Sequence, residues 1–569
     1  MLNNIIAPIN RSNLAFILSM STTEPNTFKQ AISGPNSDQW YKACLDEVNE
    51  LERQNTYDII DIPPNIKPLS GRWVFKEKPI NKQLYKPNYI TNSNKTIRYK
   101  ARWVIQGFNQ KLGIDFLETF STTCRTETWH ILLIIAINKG WYIWQYDVKN
   151  AFVHAKIDAS IYTILPIGIY NHPKYANKCA KLNKALYGLK QSPRLWNLHL
   201  RSILYKLGFI VFPYDQGVYI NIATQAILLC HVDDILFIHP SINYIKTLAN
   251  ELQKQIKIEE IGQLTTFLGN NIQTDYINKK IYIDQNSYTK KLLNKFNIYN
   301  NNKYIPKSIP GAPGIKLKKN TTQASETDIR DYQKQIGSLL YLALKTRPDI
   351  NYAVNNCARF MSNPNKEHFN ALKNIWQYLL AYESFGLIYD CSGQDLYIKG
   401  YCDSDWGNDL EARKSTSAYI YSLASDLGTN NPISWNTQLQ KTIALSSCEA
   451  EYIALKEATK EAIYLNNMLS YLNNNLKLNY KTSIPTILVD SDSALKLAEN
   501  PEFHKRSKHI DIIYHYTRAA IEENKIKLVS IPSNKNIADL LTKNTAKNIF
   551  KSLLQLINIG PMNPINSDK

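Results

Sequence analysis

The sequence predicts a multidomain chain of the α+β and α/β classes, in which helices pack on mixed sheets. Its 569 residues, 44% of them hydrophobic, are enough for several cores. Short runs rich in Ile, Leu and Val indicate strands in the first half, and apolar spacings of three and four indicate helices between residues 270 and 390. From residue 395 onward, strands that end in an acidic residue alternate with helices.

The amino-acid composition indicates which kinds of molecule the protein binds. The formal net charge is +19 and the chain carries 36 tyrosines, a combination that suits phosphate backbones and stacked bases, although a merely basic surface stays open as an explanation. The most apolar run, Ile131–Ile137, is too short to span a bilayer, so no membrane partner is expected. The eight cysteines form no CxxC pair, which indicates reduced thiols in a soluble, intracellular protein.

Two adjacent acids stand at the tip of a predicted hairpin. In Ala226–Pro240, AILLCHVDDILFIHP, Asp233 and Asp234 separate two apolar runs, which predicts two strands joined by a turn. Carboxylates this close repel each other unless a divalent cation lies between them, and Mg²⁺ prefers oxygen ligands. A solvated Asp-Asp turn is the simpler explanation when the pair is considered alone.

A third acid follows the aromatic strand WYIWQYD, which ends at Asp147. If this strand lies beside the hairpin, Asp147 and Asp233 can share two metal ions about 4 Å apart, which is the geometry of in-line phosphoryl transfer. The sequence therefore predicts one carboxylate cluster built from a strand end and a hairpin tip.

Three further features are candidates for a nucleotide pocket. Phe152 is placed either to pack against the sugar of an incoming nucleotide or to fill the core. The segment Gly188–Gln191 precedes a helix whose start is indicated by Pro193, and it is a candidate to lie along base and template. A basic loop ends in Lys100 and Arg102; without a neighbouring phosphate site it is a solvated face.

The motifs DVKNAF, ALYGLKQSPRLW and HVDD resemble the reverse transcriptase of copia-type LTR retrotransposons. The resemblance continues through RWVFKEKP, YKARWVIQGF, ETFS, IGQLTTFLGNNI and GSLLYLALKTRPDINYAV, so that it extends from about residue 36 to the C-terminus. His231 departs from the family, which carries Tyr or Phe before Val-Asp-Asp.

This resemblance implies a right-hand polymerase with fingers, palm and thumb. Asp147 would be the first metal ligand of the palm, and Asp233 with Asp234 the acidic pair of the hairpin. The segment Gly262–Gly269 would grip the primer. An aromatic residue at the Phe152 position would exclude the ribose 2′-OH. The residues of the nucleotide pocket would be Lys100, Arg102, Phe152 and Gln191.

A second set of acids is distributed over strand ends and helix starts after residue 395. Ser446 and Glu449 form a capping box at the start of one helix, which leaves Glu451 as the freer carboxylate. The order of the acids resembles ribonuclease H, which cuts the RNA strand of an RNA/DNA hybrid with two metal ions. The set consists of Asp403, Glu451, Asp490 and Asp539.

The predicted organisation follows from these assignments. Residues 1–35 are expected to be a disordered lead-in, 36–270 the fingers and palm, 271–390 the thumb and connection, 391–550 the ribonuclease H-like domain, and 551–569 a C-terminal tail. No protease or integrase motif precedes the polymerase motifs, so the chain is expected to be a processed piece or a truncated copy of an element.

The expected function is that of an RNA- and DNA-directed DNA polymerase with ribonuclease H activity, using Mg²⁺ or Mn²⁺ with two ions per site. Its expected partners are an RNA template, an RNA/DNA hybrid, a primer RNA such as a tRNA, and dNTPs. Capsid and integrase partners, a dimer, and a cytoplasmic, particle-bound or nuclear location stay open. The alternative is a decayed copy that binds nucleic acid without catalysis.

Overall fold

The structure is a computed structural model that describes residues 24–79, 97–119, 124–499 and 511–561. Within these ranges it contains both helices and sheets, in the mixed α/β class that the sequence predicts. No helix among the described residues has both the length and the apolar content needed to cross a bilayer.

The first unit is a two-stranded ribbon covered by helices. The helix predicted from Asp38 onward is present and buries Trp40, Ala43, Val48 and Leu51. The elements are α1 (Phe28–Ser33), α2 (Ser37–Arg53), β1 (Tyr57–Asp61), β2 (Gly71–Pro79) and β3 (Ile97–Ile105), and β2 pairs with β3 in antiparallel register.

The expectation of a disordered lead-in over 1–35 is wrong for its last part. Residues 28–33 form α1 because the Thr27 side chain accepts from the Gln30 N–H at the helix start. The Phe28 ring also packs against Trp73, with ring centroids 6.5 Å apart. Residues 1–23 lie outside the described residues.

The second unit is the palm, a six-stranded antiparallel sheet in the order β11-β4-β10-β9-β8-β7. A small sheet, β1-β6-β5, flanks it. The elements are α3 (Thr126–Asn138), β4 (Tyr142–Val148), β5 (Tyr162–Thr163), β6 (Lys178–Leu182), α4 (Ser192–Lys206), β7 (Ile210–Val211), β8 (Val218–Asn221), β9 (Ala226–His231), β10 (Asp234–His239), α5 (Ile242–Gln253) and β11 (Ile258–Gln263).

The third unit combines a sheet with four helices. The helices predicted between residues 270 and 390 are present, and the segment also contains three strands of five or six residues that were not predicted. The elements are β12 (Thr266–Phe267), β13 (Asn270–Asp275), β14 (Lys280–Asp284), α6 (Asn286–Lys295), α7 (Glu326–Lys345), α8 (Asn351–Ala358), α9 (Lys366–Ala381) and β15 (Phe385–Asp390).

The fourth unit has a sheet in the order β18-β17-β16-β19-β20, with three antiparallel strands followed by two parallel ones. This is a ribonuclease H-like arrangement. The elements are β16 (Leu396–Asp405), β17 (Thr416–Ser425), β18 (Asn430–Leu439), α10 (Ser447–Asn475), β19 (Thr486–Val489), α11 (Asp492–Glu499), α12 (Asp511–Glu522), β20 (Lys527–Ser530), α13 (Lys547–Leu556) and β21 (Ile559–Pro561).

The predicted tail over 551–569 is wrong where the structure describes it. Residues up to 556 continue α13, and β21 pairs with β15 to complete the sheet of the third unit. The chain therefore returns from the fourth unit to the third, whose sheet contains β21 as its last strand.

The palm and the fourth unit are joined by buried polar contacts. Asn138 at the end of α3 donates to the carbonyls of Cys391 and Gly393 and accepts from the Tyr480 hydroxyl at 2.8 Å. At the far end of α10, Gln225 donates to the Leu476 carbonyl at 2.8 Å. One continuous apolar core also runs through the palm, the third and the fourth units.

Candidate active sites

The predicted hairpin is present, and a hydrogen bond from Trp196 stabilises its turn. Strands β9 and β10 pair antiparallel with His231 opposite Asp234, so Val232 and Asp233 form a two-residue turn. Val232 has φ of 58°, a left-handed conformation that two-residue hairpin turns require and that a β-branched residue rarely adopts. The Trp196 indole donates to the Val232 carbonyl at 2.7 Å, which fixes this turn.

The third acid lies directly beside the hairpin. Asp147 on β4 is opposite Asp234 on β10 in the strand register, as the sequence predicts. Asp147 and Asp233 are each about one-third exposed by side chain, 31% and 34%, and Asp234 accepts from the Gln145 amide at 3.2 Å. The palm therefore places all three acids at one end of the neighbouring strands β4 and β10.

Two of these acids, Asp147 and Asp233, form ion pairs with basic side chains. Lys149 Nζ lies 2.7 Å from Asp147 Oδ2 and also pairs with Glu259. Arg102 Nη2 lies 3.7 Å from Asp233 Oδ2. The predicted fingers cation Arg102 thus lies at the palm acids. No local sequence pattern marks Lys149 or Glu259 as part of this site.

An aromatic pair lies next to Arg102. Its guanidinium stacks on the Tyr187 ring at 4.6 Å from the centroid, and Phe152 meets the same ring edge-on at 4.9 Å. Phe152, Tyr187 and Arg102 therefore form one wall beside the acids. Tyr187 lies in the quoted ALYGLKQSPRLW motif, but its aromatic character alone did not distinguish it from core residues.

The other two predicted pocket residues are placed differently. Lys100 lies two residues before Arg102 on β3, so both side chains are on one face of the ribbon. Gln191 is fully buried; its amide accepts from Gln110 at 3.0 Å and donates to the Asp115 carbonyl at 2.8 Å. Gln191 thus braces the loop after β3 in this structure and does not line an open pocket.

The second cluster is far more enclosed than the first. Oxygens of Asp403, Asp490 and Asp539 all lie within 4.8 Å of one another. Glu451, one turn into α10, is nearly buried, and its Oε2 has no hydrogen-bond partner. Mg²⁺ and similar cations prefer oxygen ligands, which these four carboxyl groups supply. The buried Glu451 oxygen without a hydrogen-bond partner is also in keeping with a cation at this site.

Burial and mutual repulsion raise the pKa values of Asp403, Glu451 and Asp539. Desolvation raises the pKa of Asp403, against the opposing effects of Lys543 and the Thr542 hydroxyl. Desolvation, together with the charges of Asp403 and Asp490, raises the pKa of Glu451 well above its ordinary value. Lys543 lies 2.9 Å from Asp539. The Lys543 ammonium also lies 4.0 Å from Asp403, and its charge interacts with Asp490.

The neighbouring residues explain how the acids are positioned. Asn536 donates to Asp490 Oδ1 at 3.0 Å and to the Cys402 carbonyl at 2.9 Å, which ties two strand ends together. Glu449 accepts from the Leu445 N–H, and its own N–H donates to Ser446 Oγ. Glu449 therefore caps α10, as predicted, although its partner is the Leu445 N–H and not that of Ser446.

The palm acids have the oxygen ligands that a divalent cation prefers, and the strand register places Asp147 opposite Asp234 with Asp233 in the adjoining turn. Among the described residues, however, only the second cluster has carboxylate oxygens that all lie within 4.8 Å of one another. The sheet orders agree with the fold class that the sequence motifs predict, a right-hand polymerase fold followed by a ribonuclease H-like domain.

Comparisons with known proteins agree with this class. The family described as reverse transcriptase (RNA-dependent DNA polymerase) matches residues 54–310. A Pol polyprotein from transposon TNT 1-94 of Nicotiana tabacum is 35% identical over 95% of this chain and 39% of its own length. A transposon Ty5-1 protein of Saccharomyces cerevisiae is 32% identical over 55% of this chain and 99% of its own length.

The chain belongs to the reverse transcriptase family of copia-type retrotransposon Pol polyproteins. It spans about two fifths of the length of the tobacco relative. A foamy viral protease-reverse transcriptase solved with double-stranded DNA is similar over 87% of this chain and 70% of its own, at 13% identity and a TM-score of 0.44.

Proposed function

We propose that this chain is an RNA- and DNA-directed DNA polymerase that also cleaves the RNA strand of an RNA/DNA hybrid. The observation that carries the proposal is the register of the palm strands, which sets Asp147 opposite Asp234 with Asp233 in the adjoining turn. The buried second cluster supports the hydrolytic activity.

In the palm, Asp147, Asp233 and Asp234 would hold Mg²⁺ or Mn²⁺, and bound divalent ions stabilise the attacking and leaving oxygens of phosphoryl transfer. Arg102 and Lys100 supply positive charge for a triphosphate, and the ring of Phe152 gives the pocket an apolar wall beside the sugar. These roles support dNTPs as substrates and an RNA or DNA strand as template.

In the second site, Asp403, Glu451, Asp490 and Asp539 would hold the metal ions that serve hybrid hydrolysis. The net charge of +19 supports contacts with both phosphate backbones. The same proposal includes a primer RNA such as a tRNA, partner proteins of the retroelement particle, and a location where that particle assembles.

Primer extension on an RNA template tests the palm assignment. The double variant Asp233→Asn, Asp234→Asn should lose extension by at least about a hundredfold, because the hairpin would no longer hold a cation. It should retain hybrid cleavage, which serves as the control for folding. Normal extension by this variant would overturn the assignment.

Hybrid cleavage tests the choice between the two glutamates of α10. Glu451→Gln should abolish cleavage, whereas Glu449→Gln should retain most of it, since the loss of a helix cap costs only about 1 kcal/mol. Both variants should extend primers normally. The opposite pattern would assign the metal ligand to Glu449, and salt-sensitive binding by wild-type protein without extension or cleavage would favour a non-catalytic copy.

A further inference from the structure

The ammonium of Lys149 is shared between two carboxylates. Lys149 follows Asp147 by two residues, and its Nζ lies 2.7 Å from Asp147 Oδ2 while it also pairs with Glu259. All three side chains are partly exposed, between 31% and 44%. The arrangement is therefore an ion-pair triad at the open edge of the palm cluster and not a buried structural bridge.

The backbone holds the two acids of this triad side by side. Glu259 on the edge strand β11 is opposite Asp147 on β4 in the strand register. The next residue, Glu260, has a different partner, because it accepts from the Trp144 indole at 2.7 Å. Of these two neighbouring glutamates, Glu259 is thus the one aimed at Lys149.

The contact with Asp147 conflicts with the proposed metal site. A divalent cation at the palm acids needs the carboxylate of Asp147, and an ammonium within hydrogen-bond distance of one of its oxygens competes for the same negative charge. Exposed ion pairs of this kind contribute at most about 1 kcal/mol, so a divalent cation is able to displace the ammonium. The displaced ammonium then keeps Glu259 as its anionic partner, since the two already form an ion pair.

We propose that Glu259 is a positioning residue that retains Lys149 when Asp147 binds a divalent cation, so that the Lys149–Glu259 pair sets the metal affinity of the palm cluster. This inference rests on the proposed function, because it requires a metal ion at Asp147. Without Glu259, Lys149 has only Asp147 as its partner in the triad and competes more strongly. Without Lys149, Glu259 has nothing to retain.

Terbium(III) binding to the full chain without nucleic acid tests this inference. Asp403→Asn and Asp539→Asn are introduced throughout to disable the second cluster, and the luminescence of Tb³⁺ sensitised by nearby aromatic residues is titrated, with Mg²⁺ as competitor. Lys149→Met should bind about three- to fivefold more tightly, and Glu259→Gln about three- to fivefold more weakly. The double variant should match Lys149→Met.

The matched control is Glu260→Gln, which alters the neighbouring glutamate bound to Trp144 and should leave Tb³⁺ affinity unchanged. Equal affinity of Glu259→Gln and the background protein, or additive effects in the double variant, would overturn the role of Glu259. Asp147→Asn tests the palm metal site separately from the role of Glu259. If this variant binds Tb³⁺ as tightly as the background protein, the palm acids do not form the metal site, and Glu259 cannot act on it.

Discussion

Glu47 is a buried carboxyl beneath the cations of the ribbon. It lies on α2, accepts from the Trp103 N–H, and is 7% exposed. Burial raises the pKa of Glu47 to about 7, against the Trp103 hydrogen bond and the charges of Arg102 and Lys100, which lower it. At the scale of a residue, Glu47 is thus a group whose charge depends on its packing, next to side chains that face the palm acids.

This raised pKa makes stability depend on pH in a defined direction. Between the ordinary value of 4.5 and about 7, the folded protein binds more protons than the unfolded chain, so the free energy of unfolding falls as pH rises through this window. Glu47→Gln removes the titrating carboxyl, so this fall in the free energy of unfolding should disappear. Relative to wild type, the variant should gain about 2–3 kcal/mol between pH 5 and pH 8, measured by urea unfolding followed through tryptophan fluorescence.

The control for this measurement is Glu50→Gln on the same helix. The hydrogen bond from Arg53 lowers the pKa of Glu50, so its contribution to stability is complete above its unfolded pKa and is lost only at lower pH. Its pH dependence between 5 and 8 should parallel that of wild type. Parallel curves for Glu47→Gln as well would show that the Glu47 carboxyl is charged throughout.

At the scale of elements, the turn between α7 and α8 is fixed by a buried ion pair. Arg347 and Asp349 are both almost fully buried, and two guanidinium nitrogens donate to the carboxylate at 2.9 and 2.8 Å. Tyr378 on α9 donates to the same carboxylate at 2.8 Å, and Arg347 reaches the Tyr382 carbonyl. The TRPD stretch of the quoted motif therefore links three helices.

Breaking this pair from one side should be costly. Arg347→Met leaves Asp349 buried without its cation and should lower the free energy of unfolding by about 3–5 kcal/mol, seen as a lower thermal midpoint. The double variant Arg347→Met, Asp349→Asn should lose less than the sum of the two single losses, because no uncompensated charge remains. Strict additivity would contradict a coupled pair.

At the scale of the whole molecule, the sequence predicted those features that depend on local pattern. The hairpin, the strand ending at Asp147 and the helix from Ser447 onward all combine a clear apolar period with a polar end. The four acids of the second cluster were found because their motifs are local as well. These features needed no knowledge of distant contacts.

The features that sequence analysis missed depend on contacts between distant residues. The strand NNIQTD at Asn270–Asp275 has only one large apolar residue, so its period gave no signal, and it forms because β14 pairs with it. The strand β21 pairs with β15, more than 170 positions earlier in the chain. The pairing of Lys149 with Glu259 was equally hidden, since 110 positions separate the two residues.

The contact of Gln225 with the end of α10 links the helix that carries Glu451 to the strand that leads to the palm acids. Glu451 is at one end of that 29-residue helix, which rises about 1.5 Å per residue and so extends for about 43 Å. At its other end the Leu476 carbonyl meets Gln225, the residue just before β9, and β9 ends at the acidic turn. One helix and one strand therefore connect the two carboxylate clusters.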